Sequence, residues 1–238
     1  MLELRDVYGG YGEEFILNGL SLKVDEGQVV GLLGRNGAGK TTTMRAIMGL
    51  LPRLAGDITL RGESLVGLPP YVISSKGLAL VPQGRRIFPS LTVTENLLIG
   101  ARAPRPDQPV RWTLEEIYQL FPILKERGKI RGTLLSGGEQ QMLTIARSLM
   151  TQPLVLLCDE PSEGLAPVMV QRVGEILQRL KQAGLSILLA EQNLDLALSV
   201  IDVAYIIEEG RVIWHGPKQE LLANRDLQET YLGLRVEV

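Results

Sequence analysis

Short continuous apolar runs recur along the chain, and each has the length of a buried strand. They cover residues 29–33, 77–81, 154–158 and 185–190. Between several of them, apolar residues recur three and four positions apart, which predicts amphipathic helices over residues 167–182 and from about residue 193. Alternation of this kind favours parallel βαβ units around a central sheet.

The two ends of the chain follow a different pattern. Residues 2–30 mix alternating and apolar segments, which predict two or three partly antiparallel strands. Residues 203–210 and 211–216 predict a pair of strands, and residues 217–234 predict two small helices. We therefore expect an α/β fold with a mixed central sheet and an N-terminal antiparallel β part.

Residues 84–150 carry no strand pattern, and their apolar positions recur at three and four. We interpret them as a helical insertion, in which Thr94 caps a short helix. Residues 102–110 are rich in proline and charge, which is typical of a surface loop. The length favours one domain over residues 1–238, with this helical subdomain inserted in it.

Composition narrows the class of protein. A net charge of −2 gives no overall basic surface for nucleic acid, although Arg85 and Arg86 form a local basic cluster. Cys158 is the single cysteine and lies in an apolar run, so we expect inert packing in a reducing compartment. The N-terminus lacks a signal-peptide pattern, and no run reaches the roughly 18 apolar residues of a membrane span. We expect a soluble protein that reaches a membrane only through a partner.

A glycine-rich loop follows the first buried run and precedes a helical pattern. Its spacing, Gly34-x4-Gly39-Lys40-Thr41, fits the phosphate-binding loop without a mismatch. Glycines let successive N–H groups point at a polyphosphate, and the helix N-terminus adds partial positive charge. Lys40 is expected to reach the β- and γ-phosphates, and the Thr41 hydroxyl to hold Mg²⁺. The predicted ATP-binding loop comprises Gly34, Arg35, Asn36, Gly37, Ala38, Gly39, Lys40, Thr41 and Thr42.

Two carboxylates end another buried run. Asp159 is expected at the carboxyl end of its strand, where open α/β sheets hold ligands, and there it can bind Mg²⁺. Glu160 is the candidate to orient or deprotonate an attacking water. Near the N-terminus, Tyr11 in a predicted turn is either a half-buried turn residue or a platform that stacks on a nucleobase.

A second glycine loop distinguishes this chain from most nucleotide enzymes. The string LSGGEQQ, residues 135–141, places Ser136, Gly137 and Gly138 at a predicted helix N-terminus, which is a second potential anion site. One nucleotide site needs only one such loop. The second loop suggests that each ATP is held between two copies.

These strings resemble the ATP-binding-cassette ATPases over nearly the whole chain. GRNGAGKT is similar to the Walker A motif, LSGGEQQ to the signature and LVLLCDEP to the Walker B motif. The resemblance assigns Gln83 to the glutamine loop, as a catalytic residue and a ligand of Mg²⁺, and Tyr11 to the stacking aromatic. Finer strings, such as VPQGRRIFPSLTVTENL and LLAEQN, resemble the second ATPase subunit of branched-chain amino-acid importers.

Two positions depart from the general family pattern. Gln192 stands where the family usually has a switch histidine, and the single histidine, His215, lies far along the chain in a predicted turn or on the surface. Glutamine can hydrogen-bond a phosphate but cannot carry a proton. The importer branch shares this glutamine, so we retain Gln192 as a catalytic candidate. Ala166 replaces the usual aspartate before Pro167, which weakens the case for a carboxylate contact across a dimer.

The resemblance implies an ATPase that powers import of branched-chain amino acids. It would lie at the cytoplasmic face of the cell membrane, bound to permease subunits and served indirectly by a substrate-binding protein. Its ATPase partner is either a second copy or a sister subunit, and Arg85 to Phe88 are expected to edge the groove for the permease. A urea or amide importer and a slowly hydrolysing regulatory subunit are alternatives.

Other classes fit the sequence less well. A cassette that acts on DNA or the ribosome usually carries a coiled-coil insertion or a second cassette, and the sequence has neither. A phosphoryl-transfer enzyme would have no use for LSGGEQQ. The transported solute, the permease and the choice between homodimer and heterodimer are not encoded in any recognisable motif.

Overall fold

The computed structural model describes residues 1–104 and 111–232. Most of the predicted loop at 102–110 and the last residues of the predicted helical tail therefore lie outside the described residues. The strands are β1 (Leu2–Tyr11), β2 (Glu14–Val24), β3 (Val29–Leu33), β4 (Arg53–Leu60), β5 (Glu63–Ser64), β6 (Leu78–Val81), β7 (Val155–Asp159), β8 (Ser186–Glu191), β9 (Val203–Glu208) and β10 (Arg211–Pro217). The helices are α1 (Lys40–Ile47), α2 (Pro70–Lys76), α3 (Val93–Leu98), α4 (Leu114–Leu120), α5 (Pro122–Glu126), α6 (Gly137–Leu149), α7 (Pro167–Gln182), α8 (Leu194–Val200), α9 (Lys218–Ala223) and α10 (Arg225–Leu232).

The central sheet is mixed, with the order β10-β9-β3-β8-β7-β6. Its strands are parallel except for β10, which pairs antiparallel with β9. In this register Leu33 lies beside Glu191, and Ala190 lies beside Asp159. The carboxyl ends of β3, β7 and β8 therefore meet at one edge of the sheet, where α/β proteins bind their ligands.

The N-terminal strands form a separate antiparallel sheet with the order β2-β1-β4-β5. One apolar cluster fills the space between this sheet, α1 and one face of the central sheet. A second cluster covers the opposite face and includes residues of α6, α7 and α8. Val30 belongs to the first cluster and Val29 to the second, so both faces of β3 are buried. Burial on both faces explains why these strands read as continuous apolar runs.

Every regular element described between β6 and β7 is helical, as the spacing predicts: α3, α4, α5, a 3-10 turn at Gly132–Leu134, and α6. The prediction that Thr94 caps the first helix is wrong. Thr92 is the N-cap of α3, because its side chain accepts from the Glu95 backbone N–H while the Glu95 carboxylate accepts from the Thr92 N–H. The Thr94 hydroxyl instead lies 3.1 Å from the Tyr118 hydroxyl.

Cys158 and His215 lie where the sequence predicts them, in a buried strand and at the surface. Cys158 is fully buried in β7, and burial raises the pKa of its thiol, which keeps it protonated and inert. His215 lies exposed in β10, stacked on Tyr205 with 5.3 Å between ring centroids. Among the described residues, no helix combines the length and apolar character needed to span a bilayer.

Asn96 stabilises the segment between β6 and α3, where the helical part begins. It is fully buried in α3, accepts a hydrogen bond from the Phe88 N–H at 2.9 Å and donates to the Phe88 carbonyl at 3.1 Å. We expect Asn96→Ala to lower the free energy of unfolding by about 2 to 3 kcal/mol, because buried backbone groups lose their partner. Urea denaturation measures this loss. Leu98→Ala, at a half-exposed position of α3, is the control and should cost under about 0.5 kcal/mol. Equal losses in the two variants would contradict the assigned role.

Candidate active site

The phosphate loop, residues 34–41, joins the end of β3 to the start of α1. Gly37 and Gly39 have φ angles of 82° and 112°, a left-handed region that favours glycine. A Cβ on Gly34 would lie 2.4 Å from the carbonyl oxygen of Ile207 in β9. The loop can therefore follow this path only with glycine at these positions.

Lys40 is the first residue of α1, and its ammonium group is buried under the loop. Nζ donates to the carbonyl oxygens of Gly34 at 2.7 Å and Arg35 at 3.1 Å. It also forms a salt bridge with Oε1 of Glu160 at 3.0 Å. These three acceptors match the three N–H donors of an ammonium group. Glu160 thus neutralises the charge that the sequence assigns to phosphate binding.

Thr41 in α1 and Asp159 at the end of β7 lie next to each other. The Thr41 hydroxyl donates to Oδ1 of Asp159 at 3.0 Å. Asp159 ends β7 and is only 3% exposed. Burial raises the pKa of its carboxyl to about 6; the neighbouring Glu160 charge acts in the same direction, and the Thr41 hydrogen bond opposes it. The predicted pair of Mg²⁺ ligands is therefore adjacent in space.

Glu160 directly follows β7, and its backbone departs from the extended conformation of the strand. Its φ is 47°, a left-handed conformation that is unusual for a residue with a side chain, and its N–H donates to the Ala190 carbonyl at 2.9 Å. Gln83 donates to Oε2 of Glu163 at 2.9 Å and to Oε2 of Glu160 at 3.4 Å. Among the described residues, Gln83 makes no hydrogen bond with Thr41 or Asp159, so it sits with the catalytic candidate rather than with the metal-ligand pair.

Tyr11 is the last residue of β1 and borders the turn in which the sequence places it. Its hydroxyl accepts a hydrogen bond from Nη1 of Arg45 in α1 at 2.8 Å, and its ring is 38% exposed. The aromatic ring thus lies beside the helix that begins with Lys40. Of the remaining loop residues, Arg35, Asn36 and Gly37 are exposed, whereas Ala38 and Thr42 are buried.

The signature residues form the beginning of α6. Ser136 is the N-cap: its hydroxyl accepts from the Glu139 N–H at 3.3 Å, and the Glu139 carboxylate accepts from the Ser136 N–H at 2.7 Å. A Cβ on Gly138 would lie 2.4 Å from the terminal methyl of Met169 in α7. Throughout the described part of the chain, no hydrogen bond or ion pair joins Ser136, Gly137 or Gly138 to the phosphate loop. The two glycine loops are separate within one protomer.

Comparison with known proteins decides the family. A model of the ABC transporter family matches residues 17–163, which is more than half of the chain. The chain belongs to the ABC transporter ATPase family. It is therefore an ATP-binding enzyme that couples ATP hydrolysis to transport.

Relatives and solved structures agree with this ABC ATPase assignment over nearly the full length. The high-affinity branched-chain amino acid transport ATP-binding protein BraG of Pseudomonas aeruginosa is 43% identical, with 98% of this chain and 100% of BraG covered. The lipopolysaccharide export system ATP-binding protein LptB of Escherichia coli is 34% identical, with 98% and 97% covered. The crystal structure of a nucleotide-free ATP-binding cassette from an ABC transporter superposes with a TM-score of 0.84 at 25% identity, covering 99% of each chain. The α/β fold predicted from the sequence is confirmed.

The segment after β8 holds Gln192, which the sequence predicts to stand at the family's switch-histidine position. Gln192 follows β8 directly and is exposed. Sequence reasoning missed its neighbour Glu191, which is 2% exposed and accepts hydrogen bonds from three backbone N–H groups, those of Ser162 at 3.0 Å and of Gln192 and Asn193 at 3.1 Å each. Burial raises the pKa of this carboxyl, and the hydrogen bonds oppose the shift. An acidic residue at the end of a buried run was the available signal.

Asp159 is expected to destabilise the nucleotide-free protein in its ionised form. Its carboxyl has a pKa of about 6 in the folded chain against an ordinary value of 3.8. The folded state therefore binds more protons between these values, and the free energy of unfolding falls as pH rises through that interval. We expect Asp159→Asn to raise the free energy of unfolding by about 2 to 3 kcal/mol above the interval, and to give no such gain below it.

Thermal melting of the nucleotide-free protein at pH values on both sides of the interval measures this effect. Asp57→Asn, at an exposed position in β4, is the control and should show no pH-dependent gain. A gain from Asp159→Asn that is the same at every pH would show that burial of the charge is not its cause.

Proposed function

We propose that this chain is the ATP-hydrolysing subunit that powers import of branched-chain, hydrophobic amino acids through a membrane permease. The single observation that supports this choice of solute is the similarity to BraG, which is stronger than the similarity to LptB over the same length. The mechanism, in contrast, is argued from the geometry of the two glycine loops.

Two copies are expected to bind ATP between them in opposite orientation. The phosphate loop and the signature are not in contact within one protomer, yet each offers backbone N–H groups at a helix N-terminus. In an opposed dimer, the phosphate loop of one copy would face Ser136, Gly137 and Gly138 of the other. The γ-phosphate then joins the two copies, and its loss lets them separate, which is a population shift driven by differential binding.

A divalent cation fits the pair formed by Thr41 and Asp159. Asp159 is a buried carboxylate that forms no salt bridge with any described residue, and an oxygen donor set of this kind suits Mg²⁺. Thr41 and Asp159 would hold the ion, and Gln83 would join them after leaving Glu163. The bound ion would offset negative charge on the phosphates.

Glu160 and Lys40 exchange partners in the proposed cycle. A triphosphate in the loop competes with Glu160 for the ammonium of Lys40, because both are anions that bind the same cation. Lys40 then offsets charge on the phosphates, and the released Glu160 carboxylate can orient and deprotonate a water. Gln83 already lies beside Glu160, and Gln192, at the position of the switch histidine, can donate or accept a hydrogen bond without carrying a proton.

Glu160→Gln is expected to bind ATP and to form a stable dimer that does not hydrolyse it. Glutamine keeps the size of the side chain but cannot act as a base, so hydrolysis should fall by about 10²-fold or more. Size-exclusion chromatography with and without ATP, alongside an ATPase assay, measures both properties. Lys40→Ala is the control and should neither bind ATP nor dimerise. Normal turnover by Glu160→Gln, in an assembly with no other active site, would contradict the assignment.

A groove beside the helical part is the expected docking site for the permease. It has a volume of about 320 Å³, and Met48, Phe88 and Ile99 contribute apolar side chains to it. Phe88 and Ile99 are 43% and 58% exposed, so this groove presents apolar surface to a partner. Of the segment Arg85 to Phe88 that the sequence assigns to the edge of a permease groove, Phe88 lines this cavity and Arg85 does not. Docking here would hold the chain at the cytoplasmic face of the membrane, paired with a second copy or a sister ATPase subunit.

Transport by the complete assembly tests the solute and the groove together. With the permease and the substrate-binding protein in membrane vesicles, we expect leucine to stimulate ATP hydrolysis and to be taken up. Ile99→Asp should reduce this stimulation by about tenfold or more, since a charge would be buried in the interface. Leu98→Asp is the matched control, because Leu98 is similarly exposed but does not line the groove, and it should keep the stimulation.

The alternatives predict different results in the same vesicles. Stimulation by urea or an amide, with no response to leucine, would replace the amino-acid assignment with an amide importer. A response to lipopolysaccharide alone would favour the function named for LptB. A slowly hydrolysing regulatory subunit would leave an assembly with a sister ATPase active when this chain carries Glu160→Gln.

A further inference from the structure

The segment that follows β6 has an unusual backbone. Gly84, Arg85 and Arg86 have φ angles of 77°, 65° and 47°, three successive residues in the left-handed region. Arginine seldom adopts this conformation, and it persists only where surrounding contacts enforce it. Residues 83–86, which we call the glutamine segment, are therefore held by their neighbours.

Helix α6 supplies the contacts that hold this backbone. The buried Thr144 hydroxyl donates to the Arg85 carbonyl at 2.6 Å, and Nη2 of Arg147 donates to the Arg86 carbonyl at 2.7 Å. The Arg147 guanidinium also lies over the Phe88 ring, 5.0 Å from its centroid. The carbonyls of the two residues with strained backbone, Arg85 and Arg86, thus accept hydrogen bonds from the helix that begins with the signature.

The side chain of Arg85 reaches that beginning directly. A Cβ placed on Gly137 would lie 3.0 Å from Nη1 and 3.1 Å from Nη2 of Arg85, so the guanidinium packs on the glycine backbone. A Cβ on Gly164, in the loop after β7, would lie 3.9 Å from Nη2. No residue that the structure describes forms a salt bridge or a side-chain hydrogen bond with this guanidinium. Its contacts are therefore with the signature and the loop that follows Asp159 and Glu160.

The other end of the glutamine segment touches the hydrolysis site. Gln83 donates to Glu163 and Glu160, and Glu160 in turn binds Lys40. Residues 83–86 thus connect the phosphate loop of a protomer to the signature of the same protomer. In the proposed dimer, these two loops serve different ATP molecules.

We propose that Arg85 is a positioning residue that couples the two nucleotide sites of the dimer, by fixing Gly137 according to the state of Gln83 and Glu160. This inference rests on the proposed function. When ATP displaces Glu160 from Lys40, the contacts of Gln83 change, and the strained segment passes the change to the signature through Arg85. The guanidinium also adds positive charge at the N-terminus of α6, an arrangement that is unfavourable alone and is relieved when the partner's triphosphate arrives.

Arg85→Asn tests the role of the side chain without forcing a new backbone. Asparagine tolerates the left-handed conformation, so the variant should fold. Arg86→Asn is the matched control, because Arg86 has the same backbone conformation and its side chain is exposed. Thr144→Val is a second variant that removes the hydrogen bond to the Arg85 carbonyl and leaves the guanidinium in place. All are made in the full chain with Glu160 intact, because the proposed coupling depends on its carboxylate, and a non-hydrolysable form of ATP is used for dimerisation.

Two measurements distinguish a positioning role of Arg85 from a general loss of folding or of ATP binding. The first is the affinity of the separate protomers for a fluorescent ATP analogue, at protein concentrations too low for dimers. The second is the concentration of the non-hydrolysable nucleotide that gives half-maximal dimerisation. For Arg85→Asn and Thr144→Val we expect affinity within about twofold of the parent, and a dimerisation midpoint raised about tenfold, which corresponds to about 1.4 kcal/mol. Arg86→Asn should match the parent in both.

The remaining outcomes overturn the inference. If Arg85→Asn and Arg86→Asn dimerise at the same nucleotide concentration, Arg85 does not position the signature. If Arg85→Asn weakens ATP binding by protomers as much as it weakens dimerisation, its role is local to one site. If the parent chain itself fails to dimerise with this nucleotide, the proposed function fails first, and the inference fails with it.

Discussion

The buried contact between Lys40 and Glu160 is the interaction on which the site depends. It joins the start of α1 to the end of β7 through a distance of 3.0 Å, and loop carbonyls occupy the remaining donors of the ammonium. An unpaired ammonium at this depth would carry a large desolvation cost, so Lys40 needs an anion beside it. Glu160 fills that need, and for the same reason a triphosphate can replace it. The contact therefore compensates the buried charge of Lys40 with the carboxylate of the catalytic candidate.

The parallel strands make this contact possible. β3, β7 and β8 lie side by side, so their carboxyl ends bring the phosphate loop, Asp159 and Glu191 to one edge. Burial of two carboxylates at this edge raises the pKa of each, which means that the fold tolerates charges it would be more stable without. Such a cost is expected where charge is needed for chemistry. Stability and function therefore oppose each other at Asp159.

Defined contacts attach the helical part to the central sheet and to the glutamine segment. Its helix α6 packs on β6 and carries the signature at its N-terminus, while the glutamine segment runs from β6 across to α6. At one end this segment contacts the carboxylates through Gln83, and at the other Arg85 packs on Gly137 of the signature. The groove with Phe88 and Ile99 borders the same helical part, so in the proposed function partner docking and nucleotide binding would act on one set of contacts.

The sequence by itself determined the strands, loops and helices that depend on residues close together along the chain. Apolar runs placed the central strands, the pattern Gly34-x4-Gly39-Lys40-Thr41 placed the phosphate loop, and the bounds of α7 follow from its helical spacing. The roles of the site residues remain predictions that rest on these motifs. The two-residue shift of the cap from Thr94 to Thr92 was also a local matter, decided by the reciprocal bonds with Glu95.

Only the tertiary structure decided the contacts between distant segments. The pairing of Gln83 with Glu163, the hydrogen bond from the Ser162 N–H to Glu191, and the packing of Arg85 on Gly137 join residues that are far apart along the chain. No local propensity encodes them, because they arise when separate strands and helices are brought to one edge of a sheet. The sequence therefore identified the chemistry of each loop, and the packing of the sheet decided which loops meet.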